Sequence, residues 1–255
     1  MGTPDRFTVD DAAELYGLER WGGGYFAVGR DGHLRVTPSR ESARAMDVPR
    51  VVEDLARRGI KTPLLFRFPQ LLQAQVEKLA AAFDRAKKEF KYPQGFRPVF
   101  PIKVNQQRRV VEALLSAGWK HSLGLEVGSL PELLAAMALP TSPEAVTVCN
   151  GYKDRNYLQA AAMATRLGKK TVVVIEKPFE VDQYLEMARE TDTPPLAGIR
   201  LRLQARGSGL WEKSGGTASK FGLRTVDLIR AIDRLAEAGL DRQLKLLHFH
   251  IGSQI

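Results

Sequence analysis

The stretch VFPIKVNQQ (99–107) places one lysine, Lys103, at the end of an apolar, strand-like run. Burial at such a position disfavours the ammonium form and lowers the pKa, which frees the amine to attack a carbonyl carbon. The product would be a Schiff base with a carbonyl substrate or an aldehyde cofactor. The simpler interpretation is a lysine whose stem lies along the sheet while its head reaches water. Position alone leaves both interpretations open.

Strand-like runs and helical patterns alternate from residue 99 onward. The strand-like runs are 99–104, 123–127, 145–150, 171–176, 198–203 and 244–251. This alternation predicts a parallel sheet. The turn KVNQQRR after the first run contains no glycine, so the fingerprint of a dinucleotide-binding sheet is absent. We therefore predict an α/β fold, a (β/α)8-type barrel that is incomplete, with about six of its eight strands in this sequence.

Polar residues lie at or just after the C-terminal ends of the predicted strands, where a barrel of this type carries its chemistry. They are Lys103, Glu126, Ser129, Asn150, Lys153, Arg202, His250 and Ser253. His248 and His250 alternate onto one face, and the imidazole of His250 could stack on a cofactor ring or be a hydrogen-bonded core histidine. Backbone amides and the Ser253 hydroxyl suit an anion such as a phosphate.

Arg200 and Arg202 share one strand face. A guanidinium that points into a barrel must meet an anion, either a ligand or a Glu of a neighbouring strand. The Gly/Ser-rich loop 206–223 is long enough to be functional but lacks a P-loop pattern. Cys149 is predicted to be a buried small residue rather than a nucleophile. No spacing of His, Cys and Asp indicates a zinc or calcium site.

Composition narrows the class of protein. The 255 residues contain a single cysteine and no apolar run long enough for a membrane span or a secretory signal, which predicts a cytoplasmic protein. The net charge of +9 is spread along helices beside acidic residues, so we interpret it as solvated surface rather than a nucleic-acid site.

The first 62 residues differ from the rest. They contain a hairpin pattern around Asp31-Gly32 and an amphipathic helix that ends at Gly59. Residues 1–62 are predicted to form a small β/α extension and residues 63–255 the barrel. The run PLLFRFP (63–69) reads as a further strand, followed by a long helix.

Several segments together resemble one family. VFPIKVNQQRRVVEALL, LGLEVGSLPELLAAMAL, VCNGYKDRNYL and LLHFHIGSQ resemble, in this order, segments of the biosynthetic arginine decarboxylases. These enzymes belong to the alanine-racemase-like, fold-type III pyridoxal-phosphate proteins. The segments WGGGYFAVGRDGHLRVTP and PLLFRFPQLL are similar as well, so the likeness covers nearly the whole chain.

The resemblance implies a role for each candidate residue. Lys103 would hold pyridoxal 5'-phosphate as a Schiff base, His250 would stack on its ring, and Ser253 would bind its phosphate. The remaining implied positions are Arg202 near the phenolic oxygen, Glu126 near the lysine, and Asn150 and Lys153 in the next loop. The implied reaction converts L-arginine to agmatine and CO2 in polyamine (spermidine) synthesis. The family also implies magnesium and a homo-oligomer, a dimer or higher, with shared active sites.

The resemblance implies that the family's phosphate loop, pyridine-nitrogen acid and catalytic cysteine belong to a part of the enzyme that follows this sequence. We therefore interpret the chain as the N-terminal portion of such an enzyme and expect it to be inactive alone. Alternatives are a decarboxylase for ornithine, lysine or diaminopimelate, a non-catalytic binding or regulatory barrel, and a basic nucleic-acid-binding barrel. Retention of Lys103, His250 and Ser253 weighs against a non-catalytic relative.

Overall fold

A small antiparallel sheet organises the N-terminal part of the chain. The computed structural model describes residues 7–38, 45–203 and 221–251. Helices α1 (Val9–Leu15) and α2 (Leu18–Trp21) precede strands β1 (Phe26–Val28), β2 (Leu34–Val36) and β3 (Met46–Asp47), which pair in chain order. The β1–β2 connection contains Gly32 at a φ of +78°, a conformation that suits glycine. The hairpin predicted from Asp31-Gly32 is thus confirmed.

Two helices follow the small sheet. Helix α3 (Val48–Arg57) starts at an Asp47 N-cap and is followed by Gly59 in the left-handed region, as its sequence predicts. Helix α4 (Pro69–Glu89) matches the predicted long helix. The strand predicted for PLLFRFP is wrong, because residues 63–68 are in no strand. An extended segment becomes a strand only when a neighbour bonds its backbone groups, and none of the described strands pairs with it.

A parallel sheet dominates the remainder of the chain. Its strands are β4 (Val99–Pro101), β5 (Gly124–Val127), β6 (Val146–Cys149), β7 (Lys170–Ile175), β8 (Leu196–Arg200) and β9 (Leu244–His248). Each strand pairs in parallel with the next one in the sequence, in the order β4-β5-β6-β7-β8-β9. A doubly wound sheet reverses direction at a switch point, whereas a (β/α)8 barrel adds its strands in chain order. The strand order therefore confirms the barrel topology.

Helices connect these strands: α5 (Arg108–Ala117), α6 (Leu130–Met137), α7 (Arg155–Arg166), α8 (Glu180–Arg189) and α9 (Thr225–Glu237). The central strand β7 is an apolar run buried over residues 171–175. Such runs occur where both faces of a parallel strand are covered. On α7, which packs against β7, Leu158 and Ala161 are buried, and hydrophobic burial of this kind stabilises the sheet.

The barrel is incomplete, as predicted. Within the described residues β4 and β9 each pair on one side only, so the sheet does not close. The chain divides into two compact units, Met1–Ala82 and Phe83–Ile255. The domain boundary after residue 62 stays a prediction. None of the described helices combines the length and apolar character needed to cross a membrane.

Candidate active site

Lys103 lies at the carboxyl edge of the parallel sheet, by which we mean the C-terminal residues of strands β4 to β9 and the loops that follow them. It is in a single 3-10 turn, Ile102–Val104, because β4 ends at Pro101 rather than at residue 104 as predicted. A proline offers no N–H to a strand ladder, which fits its place at the strand end. Ile102 is buried, while Lys103 is exposed, so the described residues do not provide the burial that the sequence argument invoked.

Glu126 and Asn150 meet at the same edge. The side-chain amide of Asn150 donates a hydrogen bond of 2.9 Å to Oε1 of Glu126, which joins β5 to the end of β6. The other carboxylate oxygen, Oε2 of Glu126, and Oδ1 of Asn150 are buried without a partner in the described part of the chain. Buried polar atoms are normally satisfied, so these two oxygens mark a place where a polar group belongs.

A glycine allows the loops after β5 and β6 to approach closely. Gly151 has a φ of +76°, and a Cβ atom built there would lie 2.2 Å from the carbonyl oxygen of Gly128. Nearby, the hydroxyl of Tyr157 donates to the carbonyl oxygens of Val127 (3.0 Å) and Asn150 (3.2 Å). These contacts fix the backbone from which Asn150 projects.

Lys153 belongs to a buried ion pair. Its Nζ atom lies 3.4 Å from Oε2 of Glu180, with the two side chains 1% and 2% exposed, and it also donates to the carbonyl oxygen of Gly151. Burial raises the pKa of Glu180, and the charge of Lys153 opposes that shift. These partners give Lys153 a structural role, and its cofactor contact stays a prediction. Sequence reasoning missed Glu180, because nothing local marks a helical glutamate as buried.

A second ion pair lies one strand further along. Nη1 of Arg200 donates to Oε1 of Glu176 at 2.7 Å, with side chains 16% and 3% exposed. The guanidinium carbon also lies 5.5 Å from the centre of the Phe221 ring. Of the two alternatives left open for this pair of arginines, Arg200 meets a Glu of the neighbouring strand. The Nε atom of Arg202 is buried with no partner among the described residues.

The charge of Arg200 acts on both histidines of HFH, His248 and His250. Arg200 pairs in register with His248 across β8 and β9. Burial and the charge of Arg200 hold the pKa of His248 below its usual value. His250 is exposed overall, yet partial desolvation, followed by the charges of Arg200 and Lys103, lowers its pKa too. The structure therefore places Arg200 beside His248 at the carboxyl edge, where Lys103 and His250 also follow their strands.

The remaining sequence candidates have separate outcomes. Ser253 and residues 206–220 of the Gly/Ser-rich loop lie outside the described residues. Cys149 is buried as predicted, and burial raises the pKa of its thiol to about 12, so the thiolate needed for nucleophilic attack is disfavoured.

One cluster of potential metal ligands lies away from the sheet. Ligand atoms of Asp31, His33 and Asp47 lie within 4.8 Å of one another in the N-terminal unit. Sequence spacing gave no signal for it, because the hairpin and β3 bring the residues together. Arg35 and Arg50 already lie 2.8 Å from Asp31 and 3.7 Å from Asp47. Two bound guanidinium groups satisfy these carboxylates, so we interpret the cluster as an ion-pair network.

Comparisons with known proteins identify the family of this chain. Biosynthetic arginine decarboxylases from Parasynechococcus marenigrum and Bacteroides thetaiotaomicron are 45% and 43% identical over 98% of this chain. The chain spans only 39% and 40% of those two proteins. The crystal structure of the biosynthetic arginine decarboxylase from Campylobacter jejuni matches 94% of this chain and 38% of that one, with a TM-score of 0.81 and 35% identity.

A diaminopimelate decarboxylase from M. jannaschii shares the fold, with a TM-score of 0.66 at 20% identity over 92% of this chain and 49% of that one. Residues 76–255 match the family described as pyridoxal-dependent decarboxylase, pyridoxal binding domain. That match covers the whole parallel sheet and the residues at its carboxyl edge. The chain is thus a member of the pyridoxal-dependent decarboxylase family, and residues 76–255 belong to its pyridoxal-binding domain.

Proposed function

We propose that this chain supplies the cofactor-binding barrel of a pyridoxal-phosphate-dependent arginine decarboxylase. The observation that carries the proposal is the placement of Lys103, Arg200 and His250 at the carboxyl edge of a barrel-type sheet. The substrate assignment is supported by the names of the relatives that share 43–45% identity with 98% of this chain.

The residues present fit pyridoxal phosphate. The cofactor offers an aldehyde, an aromatic ring and anionic oxygens, and the edge offers an amine, imidazoles and guanidinium groups. Four buried polar atoms at this edge have no partner in the described ranges: Glu126 Oε2, Asn150 Oδ1, Arg202 Nε and His248 Nδ1. Such atoms are expected where a polar ligand completes the hydrogen bonding.

Each residue has a proposed task. The Lys103 amine would hold the cofactor, His250 would lie on its ring, and Ser253 would bind its phosphate. Arg202, Glu126 and Asn150 would contact the cofactor through the buried atoms that lack protein partners. When bound, the cofactor would supply the electron sink that lets a carboxylate leave an amino acid. A lowered pKa keeps His250 neutral near pH 7, so its ring would add no positive charge to the site.

The proposal extends to the complete protein. Its reaction would convert L-arginine to agmatine and CO2 for polyamine synthesis, in a cytoplasmic homo-oligomer with shared active sites. Magnesium is included in the proposal only because the family resemblance implies it. At the carboxyl edge, the described residues form no cluster of three potential ligands, so the proposal assigns magnesium no site there.

Cofactor attachment can be tested directly. The protein is incubated with pyridoxal phosphate, reduced with borohydride and digested, and the labelled peptide is mapped by mass spectrometry. We expect the label on Lys103 and a large loss of label in K103A, with K120A as the control for a lysine away from the carboxyl edge. Label spread over several surface lysines, with none preferred, would contradict the proposal.

Substrate choice needs the complete gene product. Release of labelled CO2 is compared for arginine, ornithine, lysine and diaminopimelate, each labelled in the carboxyl carbon. We expect arginine to be the preferred substrate. Preference for another amino acid would retain the cofactor chemistry and overturn the arginine assignment.

A further inference from the structure

A connected set of polar contacts links the loops that follow three consecutive strands. Lys153, after β6, pairs with Glu180 at the start of α8. The carboxylate of Glu180 accepts the backbone N–H of Glu176, directly after β7, at 2.7 Å. The carboxylate of Glu176 in turn binds Arg200 at the end of β8. Polar contacts therefore connect charged residues at the carboxyl ends of β6, β7 and β8.

Glu176 is fixed by its main chain as well as by its side chain. Its N–H bonds to Glu180, and its carbonyl oxygen accepts the N–H of Gly222 at 3.0 Å. Only 3% of the residue is exposed. A buried carboxylate held in this way has little freedom, so it defines where the guanidinium of Arg200 can lie.

Arg200 needs such a support. An arginine side chain has many rotamers, and fixing one of them costs a large amount of conformational entropy. Glu176 on one side and the Phe221 ring on the other hold the guanidinium in one place. Arg200 also pairs in register with His248, two residues before His250, so the guanidinium lies at the same edge as the proposed cofactor residues.

We propose that Glu176 is a positioning residue for the pyridoxal group, because its buried ion pair fixes the Arg200 guanidinium at the carboxyl edge, beside the strand that leads to His250. This inference rests on the cofactor assignment made under the proposed function. In this proposal the effect of Glu176 on the cofactor passes through Arg200. Loss of its charge should therefore change how the cofactor is held, and the change should vanish when Arg200 is already absent.

The test compares E176Q, R200Q and the double variant in the full-length protein. Pyridoxal-phosphate affinity is measured by titration, and induced circular dichroism of the bound cofactor reports how its ring is held. We expect E176Q to weaken binding about tenfold, the effect expected for loss of one charge-assisted hydrogen bond, and to change the dichroism. In the R200Q background, E176Q should add no further loss.

Glu190 provides a matched control. It also pairs with an arginine at 2.7 Å, Arg155, but the side chains are 41% and 68% exposed. E190Q should leave both affinity and dichroism unchanged. An E176Q protein that matches E190Q would overturn the proposal, and so would an equal loss from E176Q with and without Arg200.

Two further outcomes keep the test decisive. If E176Q does not fold, E176D replaces it, because aspartate keeps the charge but withdraws it by one methylene. Unchanged affinity and dichroism in folded E176D would then overturn the positioning role. Absence of Lys103 labelling in the unsubstituted protein would instead overturn the proposed function, and this result is obtained before any Glu176 variant is made.

Discussion

Replacing Lys153 with methionine removes the cation of an ion pair whose two side chains are almost completely buried. Methionine keeps the apolar stem and nearly the length of lysine, so the substitution mainly removes charge and a hydrogen-bond donor. The carboxylate of Glu180 would keep its bond to the N–H of Glu176 but lose the ammonium 3.4 Å away. Its Oε1 atom already has no partner among the described groups.

The separation of the pair sets the size of the effect. Two unit charges at this distance attract by about 5 kcal/mol at an effective dielectric constant of about 20. Desolvation of both ions offsets most of that attraction, so the intact pair stabilises the fold little. Removal of one partner leaves a buried charge without compensation and costs about 3–5 kcal/mol. We therefore expect K153M to lower the free energy of unfolding by about 3 kcal/mol at pH 7.

The loss should depend on pH. Burial already raises the pKa of Glu180, and without Lys153 that pKa should rise further. A carboxyl whose folded pKa exceeds its unfolded value makes a protein less stable as pH rises through the interval between them. The free energy of unfolding of K153M should therefore be closest to that of the unsubstituted protein near pH 4.5 and furthest below it at neutral pH.

Urea unfolding of the full-length protein, K153M and K153M/E180Q provides the assay. The double variant has no buried charge at this site, and its amide oxygen can still accept the Glu176 N–H, so most of the stability should return. A double variant as unstable as K153M would refute the reasoning. The double variant also separates the structural role of Lys153 from its predicted cofactor contact. If Lys153 binds the cofactor, borohydride labelling of Lys103 should fall in the double variant even though the protein is folded.

Three further results are expected. Gly151→Ala should destabilise the protein by about 2 kcal/mol more than Gly168→Ala in urea unfolding. Both glycines have a positive φ, but only at Gly151 would the added methyl group meet a backbone oxygen, that of Gly128. Equal losses of stability in the two variants would contradict this reasoning. Because the pKa of His248 is lowered from 6.5 in the folded protein, stability should rise as the pH increases toward 6.5. H248N should flatten that rise. Unfolding midpoints measured between pH 5 and pH 7 cover the window that this downward shift sets. EDTA should leave the labelling of Lys103 unchanged, since the described residues at the carboxyl edge contain no ligand cluster; labelling restored only by magnesium would contradict this.

The parallel sheet could be predicted from the sequence because its signal is local. Apolar runs such as TVVVIE alternate with helical patterns, and each run became a strand within a residue or two of its predicted bounds, except that 99–104, 198–203 and 244–251 end earlier. The error at PLLFRFP has a different origin. A β-rich composition predicts an extended backbone, but pairing depends on a neighbour that composition does not specify.

The candidate site was predictable only at the level of position. Placement at strand ends identified Lys103, Glu126, Asn150 and His250, and the structure puts them at one edge of the sheet. Partner choice was not predictable, because it depends on which loops meet. Glu176 and Glu180 look like ordinary acidic residues in EKPFEVD, and only the fold shows that both are buried.

The strictly sequential strand order also has a consequence for how the domain is made. Each strand from β5 to β9 pairs with the strand synthesised just before it. The sheet can therefore grow one β/α unit at a time as the chain leaves the ribosome, because each strand pairs with one that is close to it in the sequence. The longest wait is for β9, because residues 204–220 and α9 must be synthesised before it can join β8. That last pairing aligns His248 with Arg200, so the arginine and the two histidines come together only at the end of this growth.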